Sequence, residues 1–277
     1  LVSVEHQYLI TEPIAGITPD LPTLRDPDKL TYWKEDVGGL VMGGYEPNPI
    51  GWAEHGIPHD FVFQLLPENF EHFEQLMLPA VERVPALENA GIRKFINGPE
   101  SFTPDGNFIL GEAPEVQNYF VGAGFNAFGI AAAGGAGKAL AEWIIAGEPP
   151  MDLWVVDIRR FSGIHHDETW VRNRTLELYG KHYTLSWPHE EHESGRPLLT
   201  SPIYEKLKEQ GACFGSKLGW ERPNWFAPEG TEPFNKYSFR TRRTNWFETV
   251  GEEVKAVRER VGLLDLTSFT KHEISGP

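Results

Sequence analysis

The stretch GAGFNAFGIAAAGGAGKALAEWI, from Gly122 to Ile144, constrains this chain more than any other. Fourteen of its first twenty residues are Gly or Ala, so bulk has been removed along almost the whole segment. A short apolar strand, NYFVGAG, runs into it, and GAGFNA has the G-x-G-x-x-[GA] spacing of dinucleotide-binding turns. In such a turn the first Gly permits a tight bend and the second lets backbone approach a ligand. The third small residue lets a helix pack on a strand. The helix is expected to continue to about Ala146, with Gly147 as C-cap and two prolines as a stop. Its N-terminus presents unpaired N–H groups and a partial positive charge. A nicotinamide site would also need an acidic residue ending a second strand roughly twenty residues further on. That distance falls on Glu142, inside the helix. Three readings follow: a nicotinamide site, another cofactor, or close helix–sheet packing with no ligand.

The flanking sequence alternates between strand and helix. EHQYLIT (5–11), LTYWKE (30–35) and GLVMGGYE (39–46) are rich in aromatic and β-branched residues, and DVGG (36–39) is a hairpin turn between the last two. NFEHFEQLMLPAVERV places Phe70, Phe73, Met77, Val81 and Val84 at helical spacing, with Pro79 expected to kink or interrupt the helix. TPDG, ending at Gly106, signals a turn, and Asp105 is most simply its turn residue. Residues 166–183 and 201–210 read as helices, with a polar loop, PHEEHESGRP, between them. The final stretch, 249–277, reads as a helix followed by a strand.

Charge and composition narrow the function. A formal net charge of −15 argues against a nucleic-acid surface, which needs clustered Lys and Arg. No apolar run is long enough for a membrane span. The single cysteine, Cys213, cannot form an internal disulfide, which suggests a reducing compartment, and its setting reads as a small apolar residue entering a strand. His165, His166 and the PHEEHE segment with His189 and His192 do not match a metal motif, so no metal is expected. The start without Met and the stop within an apparent strand suggest an internal piece of a longer chain.

Several further segments carry a resemblance. EHQYLITE, GGYEPNPIGW, NGPESFTPDGNFILGEAPEVQNYFVGAGFN, GGAGKALAEWIIAGEPP, DIRRF, GWERPNWF and GLLDLTSFTKHEISGP occur in this order along the chain. Together they resemble the FAD-dependent dimethylglycine and sarcosine dehydrogenases. ESFTPD and DIRRF lean toward the sarcosine enzymes and RRTNWFETVGEE toward the dimethylglycine enzymes. The resemblance implies an α/β (α+β) chain in three parts. Residues 1–150 would be the C-terminal half of a glutathione-reductase-like, D-amino-acid-oxidase-type FAD domain, and 151–210 a small central domain. Residues 211–277 would begin an aminomethyltransferase-like folate domain. The family's pyrophosphate-binding half and most of the folate site would lie outside this chain, which would then hold FAD weakly or not at all by itself.

The implied activity is oxidation of an N-methylated glycine, with hydride passing from the N-methyl carbon to flavin N5. The one-carbon unit would go to tetrahydrofolate or leave as formaldehyde. Electrons would pass to an electron-transfer flavoprotein or to oxygen. By the same resemblance the Gly-rich turn lies against the flavin ring, which makes Phe125, Asn126, Ala127, Phe128, Gly129 and Ile130 its contact candidates. Asn126 is equally a candidate helix N-cap. His6 in VEHQYLI would line the substrate side, where an imidazole can accept the amine proton. Its ordinary alternative is a satisfied structural histidine. Tyr32 would be its partner, with Thr31 or Trp33 in its place if the alignment slips by one. Tyr45 and Glu46 would support the pocket, or pack on the core with Glu46 in solvent; Glu100 and Ser101 lie near the ring. The location would be cytoplasmic in a bacterium and the mitochondrial matrix in a eukaryote. A non-catalytic alternative resembles the regulatory subunit of pyruvate dehydrogenase phosphatase.

Overall fold

The computed structural model describes residues 1–186, 190–233, 235, 237–238 and 243–276, and divides into two compact units, Leu1–Leu185 and Ser186–Pro277. In the first unit the strands are β1 (Val2–Thr11), β2 (Leu24–Asp26), β3 (Thr31–Asp36), β4 (Gly39–Gly44), β5 (Gly51–Trp52), β6 (Ile92–Phe102), β7 (Ile109–Glu112) and β8 (Phe120–Ala123). Its helices are α1 (Phe70–Arg83), α2 (Gly129–Ala146) and α3 (Glu168–Gly180).

β1 organises the unit. It pairs antiparallel with β6 along its whole length, and on its other edge with β4 and β5; β3 and β2 extend the sheet beyond β4. Because side chains alternate across a strand, register alone sorts the sheet's residues between its faces. Leu9 lies opposite Phe95 and Met42, and Met42 opposite Trp33. This face packs on α1 through Phe73, Leu76 and Ala80, which form one stripe at helical spacing. Burying each large side chain there contributes roughly 1.5–3 kcal/mol. Asn69 caps α1, its Oδ1 accepting from the His72 N–H at 3.1 Å. Pro79 does not interrupt α1, which runs unbroken to Arg83. Its missing N–H costs one turn bond, while Leu76 and Ala80 on either side hold the helix to the sheet.

The opposite face carries Val4, His6 and Tyr8 of β1, Glu100 and Phe102 of β6, and Tyr32 of β3. α3 covers it through the row Val171, Thr175 and Tyr179, spaced by four. Gly180 makes the close approach possible, since a Cβ there would stand 2.7 Å from the Pro47 carbonyl oxygen. This docking places α3 in the first compact unit, so the expected boundary at 150 lies inside that unit.

α2 packs on the hairpin of β7 and β8 through Leu110, Ala136 and Val156, and ends as expected at Gly147, whose φ of 78° is left-handed. β8 pairs antiparallel with β7 alone. The parallel strand–turn–helix setting that a nicotinamide fingerprint requires is therefore absent from the described residues. The DIRRF segment acts as a structural tie. Its Arg160 donates to Asp105 Oδ2 at 2.6 Å and to the Asn107 carbonyl at 2.8 Å, holding down the TPDG turn.

The second unit contains α4 (Tyr204–Glu209), β9 (Ala212–Lys217), β10 (Trp220–Phe226), β11 (Tyr237–Ser238), β12 (Arg243–Thr244) and α5 (Phe247–Glu259). β9 and β10 form a hairpin whose Cys213 and Trp225 pack with Trp246 and Val250. Cys213 is buried, as expected of a small apolar strand residue, and burial pushes its thiol pKa up. The strand expected after the last helix does not form among the described residues. No neighbouring strand pairs with that segment, and Leu263 and Ile274 remain exposed. His189 lies outside the described residues.

Candidate functional site

His6 stands at the centre of a polar and aromatic cluster on the α3-covered face of the sheet. It is buried, with its ring 4.8 Å from Tyr45 and 6.2 Å from Tyr179. Nδ1 meets the Tyr179 hydroxyl at 2.9 Å. Burial lowers the His6 pKa, an effect opposed by the nearby Glu100 and Glu46 carboxylates. The imidazole is therefore held neutral, the form able to accept a proton.

Tyr32 shares this face because it lies opposite Gly43, which lies opposite Tyr8. Thr31 and Trp33 point to the α1 side, so the register separates Tyr32 from both of its alternatives. Gly43, in the GGYE segment, must be bare: a Cβ would stand 2.5 Å from the Tyr32 hydroxyl and 2.8 Å from Tyr8 Cβ. Burial raises the pKa values of Tyr32, Tyr45 and Tyr179, keeping all three phenols protonated as donors.

Glu46 is 1% exposed, which overturns its placement in solvent. Its Oε1 accepts from His72 Nε2 at 3.1 Å and its Oε2 from the Tyr179 hydroxyl at 3.2 Å. The hydrogen bond to Glu46 raises the His72 pKa, which burial opposes. Oε2 of Glu100 is buried with no hydrogen-bond partner among the described residues. A carboxylate left in this state strongly favours a cation beside it.

Sequence reasoning missed Tyr179, His182, Tyr183 and His72. The segment LELYGKHY carries the first three at i, i+3 and i+4, a helix-end spacing that puts them on one side. His182 stacks near Tyr183 and lies 4.5 Å from the Tyr45 ring; Arg25 sits 3.9 Å above Tyr183.

The six turn residues divide. The Phe125 ring stacks on Phe108 at 5.0 Å and points into the α2 core. Asn126 is 1% exposed; its Oδ1 accepts from the Thr103 N–H at 2.9 Å and its Nδ2 donates to the Gly124 carbonyl at 2.7 Å. Asn126 is not the helix N-cap. That position falls to Phe128, two residues later, and no side chain caps α2. Ala127, Phe128, Gly129 and Ile130 are exposed, with Ile130 at 99%. The Phe128 ring lies 5.5 Å from His182. A line of rings, Phe128, His182, Tyr45 and His6, thus connects the start of α2 to the buried imidazole.

This surface fits a flavin. The first turn of α2 is uncapped and free of acidic residues, so its N–H groups are open to an electron-rich acceptor. Further along α2 the helix surface is open, since a Cβ at Gly134, Gly135 or Gly137 would meet nothing within 4 Å. Residues able to hold FAD on this chain are therefore Ala127, Phe128, Gly129 and Ile130, with Asn126 fixing the turn behind them.

The family model "FAD dependent oxidoreductase" matches residues 1–143, and the chain belongs to that family. "FAD dependent oxidoreductase central domain" matches 146–201 and "GCVT N-terminal domain" matches 203–277. Over 277 residues the chain is 43% identical to 4-methylaminobutanoate oxidase (formaldehyde-forming) of Paenarthrobacter nicotinovorans, covering 100% of this chain and 33% of that protein. It is 43% identical to human mitochondrial sarcosine dehydrogenase over 243 residues, 86% of this chain and 26% of the relative. It is also 40% identical to the mitochondrial pyruvate dehydrogenase phosphatase regulatory subunit of Mus musculus, over 99% of this chain and 31% of the relative. The chain spans about a third or less of the length of these relatives. Among the described residues no helix is long and apolar enough to cross a membrane.

Proposed function

We propose that the protein carrying this chain oxidises a small N-methylated amino acid, sarcosine or dimethylglycine, with FAD, and that His6 and Tyr32 face its substrate. The carrying observation is the convergence of the α2 turn and His6 on one cluster through Phe128, His182 and Tyr45. FAD, when bound, supplies the hydride acceptor. The chain's own residues do the rest. Neutral His6 takes a proton from the substrate ammonium, freeing the nitrogen lone pair that oxidation requires. Tyr32 donates its phenol hydrogen to a substrate acceptor such as a carboxylate. Glu100, with its unpartnered oxygen, supplies a negative potential that draws the cationic amine. The α2 first-turn N–H groups would hold the flavin ring system and would favour negative charge on it.

The part of the chain matched by the GCVT model supports a further reading, in which tetrahydrofolate takes the one-carbon unit and formaldehyde leaves in its absence. An electron-transfer flavoprotein or oxygen would reoxidise the flavin. The three-part division at 150 and 210 belongs to the same reading, as does a site in a bacterial cytoplasm or a mitochondrial matrix. The identity to a phosphatase regulatory subunit supports a second reading, in which the protein acts by binding rather than catalysis.

Anaerobic mixing of the full-length protein with sarcosine, dimethylglycine or 4-methylaminobutanoate tests these readings. Bleaching of the flavin absorbance is expected, and His6→Ala should slow it at least tenfold while flavin content stays constant. An unchanged rate in that variant removes His6 from the reaction. A wild-type protein that binds no flavin and oxidises none of the three supports the regulatory reading instead.

A further inference from the structure

We propose that Tyr179, braced by Glu46, holds His6 in the tautomer protonated on Nδ1 and so leaves the Nε2 lone pair as the proton acceptor of the site. The assignment comes from counting donors and acceptors around one hydroxyl. Tyr179 is fully buried, and its hydroxyl has three polar neighbours: His6 Nδ1 at 2.9 Å, Glu46 Oε2 at 3.2 Å and the Glu5 carbonyl oxygen at 3.3 Å. The carboxylate and the carbonyl can only accept, and the hydroxyl has a single hydrogen to give them. If Nδ1 also carried a lone pair, three acceptors would compete for that hydrogen and two buried lone pairs would face oxygen unpaired. Protonated Nδ1 reduces the conflict from two acceptors left over to one: it donates to the Tyr179 oxygen, the hydroxyl hydrogen goes to Glu46 in a charge-assisted bond, and only the Glu5 carbonyl at 3.3 Å is left without that hydrogen.

The other end of the chain of hydrogen bonds is anchored as well, because Oε1 of Glu46 accepts from His72 Nε2. Among the described residues His6 Nε2 has no hydrogen-bond partner. Its lone pair is thus the one acceptor of the ring not committed to the protein. When an ammonium gives up a proton, its N–H bond breaks, an Nε2–H bond forms, and the electron pair stays on the substrate nitrogen. The imidazolium then keeps its Nδ1–H bond to Tyr179, and the Glu46 carboxylate stabilises the new charge through that phenol. Tyr179 and Glu46 are positioning residues, since neither needs to touch the substrate.

This inference rests on the reading of His6 as the substrate-side base, but its test is separate. In the 277-residue chain labelled with ¹⁵N-histidine, nitrogen–proton couplings report which ring nitrogen carries hydrogen, and His6→Gln identifies the His6 signals. The expected result near neutral pH is Nδ1–H with an unprotonated Nε2. Tyr179→Phe, which removes only the hydroxyl, should abolish that preference and shift the population toward Nε2–H. Nε2–H in the wild-type chain, or an unchanged tautomer in Tyr179→Phe, overturns the proposal. The wild-type spectrum decides the question even if the variant does not fold. Normal turnover in His6→Ala would refute the role of His6 in oxidation and leave the tautomer standing, so the two failures are distinguishable.

Discussion

Two glycine-to-alanine changes in helices should move stability in opposite directions. Intrinsic propensity favours Ala over Gly by about 0.8–1 kcal/mol in a helix interior, so propensity alone predicts that both changes stabilise. Gly134 lies within α2, and a Cβ there meets nothing within 4 Å. Gly134→Ala should therefore gain close to the full propensity difference, about 0.8 kcal/mol. Gly180 is the last residue of α3, where the gain is smaller, and its Cβ would stand 2.7 Å from the Pro47 carbonyl oxygen with that residue's Cα also at 3.4 Å. Backbone cannot rotate aside as a side chain can, so overpacking costs about 2–3 kcal/mol, the upper part of the usual range. The net loss for Gly180→Ala is then about 1–2 kcal/mol. At roughly 2–4 °C per kcal/mol for a unit of this size, that is a fall of about 2–8 °C in the midpoint. Thermal and urea unfolding of the 277-residue chain, followed by tryptophan fluorescence, reads both changes. A midpoint for Gly180→Ala at or above wild type would refute the docking of α3 against the segment after β4. It would also remove the support that brings Tyr179 to His6.

The His72–Glu46 pair gives a pH-dependent contribution with a definite sign. The His72 pKa is raised by its hydrogen bond to Glu46, so the folded chain binds more protons than the unfolded one above about pH 6.5. The stability from this pair is fully present below that pH and is lost as pH rises through the folded value. The stability difference between wild type and His72→Gln, measured by urea unfolding across this window, should shrink as pH rises; a constant difference would contradict the assignment. His6 acts in the opposite direction. Its lowered pKa means that below about pH 6.5 the unfolded chain takes a proton the folded one refuses, so stability falls with acidification. Asn126→Ala leaves the buried Thr103 N–H and Gly124 carbonyl without this side chain and puts Ala at φ 49°. A loss of at least about 2 kcal/mol in thermal unfolding is expected, and a loss below about 0.5 kcal/mol would show that the turn is held by other contacts.

The residue types of the site were legible from sequence, and their relations were not. The aromatic and β-branched content of EHQYLIT indicated a strand with His6 in it, and the Gly-Ala segment indicated a helix, although within this chain nothing stands close to Gly134, Gly135 or Gly137, where a Cβ would meet nothing within 4 Å. Both features are local, set by side-chain type along a short segment. The choice of Tyr32 over Thr31 and Trp33 needed the register between β3 and β4, because a one-residue slip reverses the face of every side chain. Glu46 looked as much like a surface residue as a buried one until His72, twenty-six residues on, and Tyr179, much further still, were brought to its two oxygens. Asn126 had the composition of a cap but the backbone path of a brace, since the helix starts after a cap two residues later. Local patterning thus determined most of the strands and helices, though not the strand expected after the last helix, which no neighbouring strand pairs with among the described residues. Only tertiary structure, by joining residues more than a hundred positions apart around one hydroxyl, decided which polar groups share one cluster.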